Sequence, residues 1–245
     1  MRLVISDTKA LKSIVDSISS LIDEAKLVIS PESISMRAMD PAHVVLVDLN
    51  MSKVAFEEYR MESNLELGID FDRLNTILKR AGSSDKIELS LSEDSSALII
   101  TIRNSAMRRF DLPLIDVSEE ELRIPQLDFL AEVEVDPKIL SEGIKDAEIV
   151  SDHVILRCDS ENLYISASGD LGNVEVKVSK ERALNFEVSE PCKSIFSIEY
   201  LKDMLKAVDA ASTIRLHLGT DIPMRLDFLA EGVKLDFLLA PRIEG

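Results

Sequence analysis

Tryptophan is absent from this 245-residue chain, aromatic residues make up only 4% of it, and its single glutamine is Gln126. Two cysteines, Cys158 and Cys192, cannot supply the disulfide framework of a small secreted domain, which points to a reduced, cytosolic compartment. The three histidines, His43, His153 and His217, stand far apart and read best as structural or surface residues. No G-x-G-x-x-G, P-loop, G-x-S-x-G or zinc-type Cys/His spacing occurs, so the common signatures of nucleotide-binding, hydrolytic and zinc chemistry are missing. No apolar run approaches the roughly 18–20 residues of a membrane span, and Met1-Arg-Leu-Val-Ile-Ser-Asp7 lacks a signal-peptide core. Basic charge is scarce as well. Against 45 Asp+Glu there are 28 Lys+Arg, a formal net charge of −17. That excludes a nucleic-acid-binding domain basic over its whole surface, but leaves room for a local basic patch.

What is present is material for a large core, with 46% hydrophobic residues. Alternating apolar segments predict strands at Lys26–Ile29, Ser33–Met39, His43–Leu49, Leu65–Ile69, Lys86–Leu91, Ala97–Arg103 and Ala106–Leu112. Leu11, Ile14, Val15, Ile18, Leu21 and Ile22 follow the spacing of one buried helix face, capped by Asp7 or Thr8. A second helix is expected from Asp72 to Arg80, ending at Gly82. The second half repeats this order. Asp136-Pro-Lys-Ile-Leu140 parallels Asp7-Thr-Lys-Ala-Leu11, while Leu201, Met204, Leu205 and Lys206 match Leu74, Ile77, Leu78 and Lys79. Ile214–Leu218 matches Ile87–Leu91 in the same register. Two helices and a strand in one order indicate a duplicated domain, each half a sheet with two helices on one face. The charged stretch around Ser118-Glu-Glu-Glu121, followed by Pro125, reads as an extended connector.

The helices carry cations on their outward positions: Lys9 and Lys12, then Arg73, Lys79 and Arg80, then Lys138 and Lys145, then Lys202 and Lys206. Acidic residues share each helix, so alone each is a solvated face of mixed charge. If the repeat sets all four on one side, they form a dispersed belt that would touch phosphates without reading bases. Asn173–Ser179 alternates strictly, and Ala106–Leu112 closes the first half; as sheet edges, both would offer unpaired backbone groups to another chain. Asp40 and His43 could be read as the base and orienting group of a metal-dependent hydrolase, although a capped turn is the better reading of Met39-Asp-Pro-Ala-His43.

Particular segments resemble the DNA sliding clamps of the proliferating cell nuclear antigen (PCNA) family, in its archaeal form. They are Leu21-Ile-Asp-Glu-Ala25, Ser35-Met-Arg-Ala-Met-Asp40 with His43-Val44, Ile77-Leu-Lys-Arg-Ala-Gly82, Ile124-Pro125, Ser166–Gly172, Asp221-Ile-Pro223 and Leu239-Ala-Pro-Arg-Ile-Glu244. The resemblance covers the whole chain. It implies an α+β clamp fold with two similar domains, antiparallel sheets outside and two helices per domain on the inner face, in a closed ring of three subunits. The expected divisions are an N-terminal domain over residues 1–116, a connecting loop over 117–128 and a C-terminal domain over 129–245. The implied function is to encircle duplex DNA and tether polymerase, clamp loader, nuclease and ligase through short peptides, in replication and repair. No enzyme activity, cofactor or metal is implied, nor any membrane, and the expected location is the cytoplasm of an archaeal cell, with the chromosome, or the nucleus of a eukaryote. One subunit of a heterotrimeric ring is the alternative within the family.

Carried over residue by residue, the resemblance implies DNA-facing Lys12, Lys79, Lys145, Lys206 and Arg80, with Arg73 and Lys202 added from their helices. Ser13, Ser19 and Thr76 stand where further lysines are frequent in eukaryotic members, so a less basic lumen is expected. The implied peptide pocket comprises Met39, His43, Val44, Leu46, Leu122, Ile124, Pro125, Phe129, Pro223, Leu238, Ala240 and Pro241, with Leu238 in place of a frequent tyrosine. The implied subunit interface takes Met107, Arg109 and Phe110 from one edge and Val174, Val176 and Val178 from the other.

Overall fold

The structure, a computed structural model, describes residues 1–5, 7–118 and 122–243. The run Glu119–Glu121 and Glu244, named above, lie outside the described residues. In chain order the first half contains β1 (Arg2–Ile5), α1 (Thr8–Ser19), β2 (Glu24–Ile29), β3 (Ser33–Met39), β4 (Val45–Ser52), β5 (Glu58–Arg60), β6 (Leu65–Asp70), α2 (Phe71–Leu78), β7 (Lys86–Leu91), β8 (Ala97–Arg103) and β9 (Met107–Pro113). The second half repeats it as β10 (Ala131–Val135), α3 (Pro137–Glu148), β11 (His153–Cys158), β12 (Asn162–Gly169), β13 (Gly172–Ser179), β14 (Asn185–Val188), β15 (Cys192–Ser197), α4 (Ile198–Leu205), β16 (Thr213–Leu218), β17 (Met224–Ala230) and β18 (Val233–Leu239).

Each half has two antiparallel sheets rather than the single sheet read from the sequence. In the first half the orders are β5-β1-β7-β8-β9 and β4-β3-β2-β6; in the second, β14-β10-β16-β17-β18 and β13-β12-β11-β15. One extra pairing joins the halves. β18 lies antiparallel to β4, with Phe237 opposite Val47 and Asp236 opposite Asp48, making one continuous nine-stranded sheet. The strands β9 and β13, which hold the matching positions in the repeat, are edges.

The helices start where short-range chemistry dictates. Asp7 accepts the amide of Ala10 at 2.9 Å and Asp70 that of Arg73 at 2.9 Å, so the second helix begins at Phe71, one residue before the expected start. It ends at Leu78, and Leu21 and Ile22 are buried beyond the end of α1. Side-chain bonds order the helices as α2-α1-α4-α3. Asn75 of α2 donates to Asp16 (2.9 Å) and Ser19 (2.7 Å) of α1. Ser17 of α1 donates to the carbonyl of Asp203 in α4 at 2.8 Å, and Lys202 of α4 pairs with Glu148 of α3. The four helices thus form one layer, whose apolar face packs on the strands in a core including Leu11, Ile14, Leu74, Leu140, Ile144 and Leu201. No helix among the described residues is long and apolar enough to cross a membrane.

The two cysteines, apparently unrelated in sequence, are register partners on β11 and β15. Both are buried free thiols, and desolvation pushes that of Cys158 up to about 12.

Candidate nucleic-acid interface and peptide pocket

The outer face of the helix layer carries the belt expected from the sequence, already neutralised in large part. Lys79 pairs with Asp16 at 2.7 Å, Lys145 with Glu142 at 2.7 Å, Arg73 with Asp70 at 3.0 Å and Lys202 with Glu148. Lys206 reaches Asp203 at 2.7 Å and the Ser20 hydroxyl at 2.6 Å, while the Lys12 ammonium donates to the Ala81 carbonyl at 2.6 Å. Arg80 is exposed and has no ion-pair partner among the described residues. Lys12, Lys79 and Lys206 converge on one depression of about 250 Å³, shared with Ser13, Asp16 and Asp209. Lys9, omitted from the DNA-facing set, joins them and pairs with Asp209 at 3.0 Å. Burial resists ionisation of Asp16, but hydrogen bonds from Lys79 and Asn75 outweigh it and hold the carboxyl below its usual range. Lys145 sits apart on α3, and Arg73 lies at the opposite end of the layer on α2. At Lys79, Lys145, Lys202, Lys206 and Arg73 an approaching phosphate must exchange with resident carboxylates, whereas Arg80 and Lys12 have none to displace among the described residues, so attraction is local and weak.

The opposite face of the sheet is built differently. Along β3, β4 and β18, Met36, Ala38, Val45, Val47, Leu49, Phe237 and Leu239 belong to the core, and the alternate residues point away from the helices. Met39, Leu46 and Leu238 are cross-strand neighbours on this outer face, forming an apolar row across the junction between halves. Two residues along, Arg37, Asp48, Asp236 and Asp227 form a parallel charged row. The connector returns over this face. Arg37 donates to the Leu122 carbonyl at 3.3 Å, and a concavity of about 600 Å³ opens beneath, bounded by Met39, Val117 and Leu122. Where the connector begins, the Ile115 amide donates to the Gly68 carbonyl. A Cβ on Gly68 would lie 1.9 Å from the Ile115 oxygen, so the crossing requires glycine there.

Around the apolar row, Val44 and Ala240 are joined by a backbone bond of 2.9 Å. His43, Ile124 and Pro125 are exposed; Val44, Leu122, Pro223, Leu238, Ala240 and Pro241 are half-buried. Phe129 packs on His217. It precedes β10 and lies tilted against the ring of His217 at 5.3 Å, and His217 is on β16, two strands from Leu238. Of the twelve expected pocket residues, only Met39 and Leu122 also line the concavity under the connector.

Asp40 and His43 are not arranged as base and orienting group. The Asp40 carboxylate accepts the amides of Val44 (2.6 Å), Val45 (2.6 Å) and Ala42 (3.1 Å), whereas the His43 Nδ1 lies 3.2 Å from the Met39 sulfur. The turn holds His43 at φ 57°, a left-handed conformation costly for a non-glycine residue and supported by this capping. Sequence reasoning did not find Tyr200, whose hydroxyl donates to Asp40 at 3.2 Å. No local signal links residues so distant along the chain.

At the sheet edges, Met107 and Arg109 on β9 are exposed and Phe110 is half-buried. On β13, Val174 and Val176 are half-buried, whereas Val178 is already buried within its own chain.

Comparison with known proteins finds relatives over the whole length of the chain. The model of the proliferating cell nuclear antigen N-terminal domain matches residues 2–121, and that of the C-terminal domain matches residues 123–243. The chain is 40% identical over 245 residues to a DNA polymerase sliding clamp of Thermococcus gammatolerans, covering 99% of this chain and 98% of that one. A DNA polymerase sliding clamp of Methanococcus vannielii is 34% identical, with 98% of each covered. Among solved structures, PCNA from Thermococcus kodakaraensis superposes with a TM-score of 0.92 at 30% identity, over 98% of this chain and 99% of that one. The structure described as the C-terminal region of FEN-1 bound to A. fulgidus PCNA gives a TM-score of 0.90 at 32% identity, over 100% and 99%.

Proposed function

The chain belongs to the proliferating cell nuclear antigen family, and from that premise we propose that it is a sliding clamp. Three copies close into a ring around duplex DNA, and the ring tethers polymerase, clamp loader, nuclease and ligase. The junction between the halves carries this reading. In the repeat, β13 is the counterpart of β4 and β9 the counterpart of β18. Transposing the β18–β4 register puts Phe110 of one subunit opposite Val174 of the next, as Phe237 stands opposite Val47 within the chain. On the solvent face the same register sets Arg109 opposite Glu175, an attractive pair. Both edges belong to this one chain and complement each other, which favours a homotrimer over a heterotrimer. Because each subunit uses a different edge on either side, assembly is head-to-tail and can close.

The helix layer then lines the hole. Lys12, Lys79, Lys206 and Arg80, with Lys9, form its main DNA-facing group; Lys145, Lys202 and Arg73 are more dispersed. Retention comes from topological closure, so carboxylate-paired lysines suffice and leave the ring free to slide. The outer apolar row of Met39, Leu46 and Leu238, with His43, Val44, Leu122, Ile124, Pro125, Pro223, Ala240 and Pro241, receives partner peptides beneath the connector. Phe129 stands at the margin of that pocket. We assign the chain no catalysis, divide it at residues 1–116, 117–128 and 129–245, and place it with the chromosome of an archaeal cell.

Retention on DNA tests the reading. Loaded onto a nicked circular plasmid, the protein should remain through gel filtration at moderate salt, and cutting the plasmid once should release it. Equal loss from circular and linear DNA would refute encirclement.

A further inference from the structure

We propose that Tyr200 is a positioning residue of the peptide pocket. Its hydroxyl holds Asp40, and through Asp40 the His43 turn, in the shape that receives a partner peptide. This rests on the pocket assignment above.

The Asp40 side chain is buried, and its two oxygens take four donors: the Val44 and Val45 amides on Oδ1, and the Ala42 amide and Tyr200 hydroxyl on Oδ2. Two of those donors, the Ala42 and Val44 amides, lie within the turn and can move with it, and the third, Val45, opens β4 immediately after it. Tyr200 alone among the four comes from outside the β3–β4 hairpin, on α4, anchored in the core by its helix neighbours Ile198, Leu201 and Met204. The turn is a conformation that needs restraint, since His43 is left-handed. The backbone of the turn is held by the bonds from the Asp40 amide to the Val45 carbonyl and from the Ala240 amide to the Val44 carbonyl, each 2.9 Å, and the Asp40 carboxylate is tied to the helix layer by Tyr200. Removing the Tyr200 bond loosens the carboxylate that caps a segment whose outward residues, His43 and Val44, form the pocket rim. Burial and the adjacent Asp40 carboxylate raise the Tyr200 phenol above its usual range, so it remains a donor at neutral pH. The same helix bears Lys202 and is followed directly by Lys206 at its C-terminal cap, so one rigid element links the two working surfaces.

Tyr200→Phe deletes only the hydroxyl. The probe is a synthetic peptide of the FEN-1 C-terminal region, measured by stopped-flow fluorescence against the assembled protein. The variant should bind about three- to tenfold more weakly, through faster dissociation, with unchanged assembly. Hydrogen exchange should accelerate at the amides of Ala42, Val44 and Val45 and stay constant in α1. On an Asp40→Asn background the same substitution should add little, because the two residues act through one bond. If the wild-type chain does not bind the probe, the pocket assignment fails. If it binds and Tyr200→Phe binds equally, or if affinities fall additively in the double variant, the positioning role is overturned. Should either variant fail to assemble, exchange in the wild type decides: amides of the turn opening only with those of α4 support the tether, and independent opening contradicts it.

Discussion

At the scale of single residues, the charged row on the outer face shows how far environment separates identical side chains. Asp227, Asp236 and Asp48 follow one another on β17, β18 and β4. Burial opposes ionisation of Asp227, yet His217 and Arg225 outweigh it and hold that carboxyl low. For Asp236, burial dominates and Asp227 adds to it, so its carboxyl is raised despite Lys234 and Arg225, and its Oδ1 has no hydrogen-bond partner. A carboxyl raised in the folded state binds its proton more tightly there than in the unfolded chain. Its contribution therefore favours folding at low pH and is lost as pH rises through the folded value. Asp236→Asn should accordingly leave the protein as stable at neutral pH, or more stable by up to about 1 kcal/mol. It should also flatten the stability profile just above the ordinary carboxylate range. Chemical denaturation across pH checks this, and clear destabilisation at pH 7 would show that the bonds from Lys234 and Arg225 outweigh the repulsion.

At the scale of elements, the connector and the strands beneath it divide the pocket into parts with separable costs. Ile124 is 39% exposed and contributes little to the core, whereas Leu46 is 4% exposed on the outer side of β4. Ile124→Ala should weaken partner-peptide binding without moving the thermal midpoint. Adding Leu46→Ala should deepen the loss to at least tenfold and lower stability by about 2–3 kcal/mol. Calorimetric titration alongside thermal unfolding separates the two; unchanged affinity in the double variant would remove these residues from the pocket. The helices and longer strands were legible because their signals are local. Asp7 and Asp70 act on amides three residues away, and Ser33–Met39, Lys86–Leu91 and Ala97–Arg103 have the same bounds in sequence and structure. The strand read as starting at His43 instead starts at Val45, because Asp40 holds the intervening residues in a turn. The short strands β1 and β5 escaped notice, being too brief to display an alternation; β1 is held between β5 and β7, and β5 pairs with β1 at the edge.

At the scale of the whole molecule, duplication supplies the interface. Within the chain, the β18–β4 junction unites apolar residues on its helix-facing side, including Phe237, Leu239, Val47 and Leu49. The transposed contact replaces Leu235 with Arg108 and Val45 with Gly172, so less apolar area is available. The subunit boundary should therefore open before the internal junction, as a ring that must admit DNA requires. Its register can be tested through charge. Arg109→Glu sets two carboxylates face to face and should shift the dilution midpoint of the trimer to higher concentration. Adding Glu175→Arg should restore it. Sedimentation equilibrium over a dilution series reads both, and absence of restoration would mean that a different pair of residues meets across the boundary.

The sequence by itself determined the duplicated plan of strands and helices, the presence and approximate extent of the first two helices, the acidic balance and the alternating strands at residues 106–112 and 173–179. Each of these depends on neighbours within a few positions or on a repeated pattern. Only the tertiary structure decided that the Met39–Leu46–Leu238 row turns away from the helices, that the belt lysines are met by carboxylates, and that Tyr200 holds Asp40 across 160 positions. Those outcomes depend on which strands lie side by side, and burial and pairing are properties of that arrangement rather than of any segment alone.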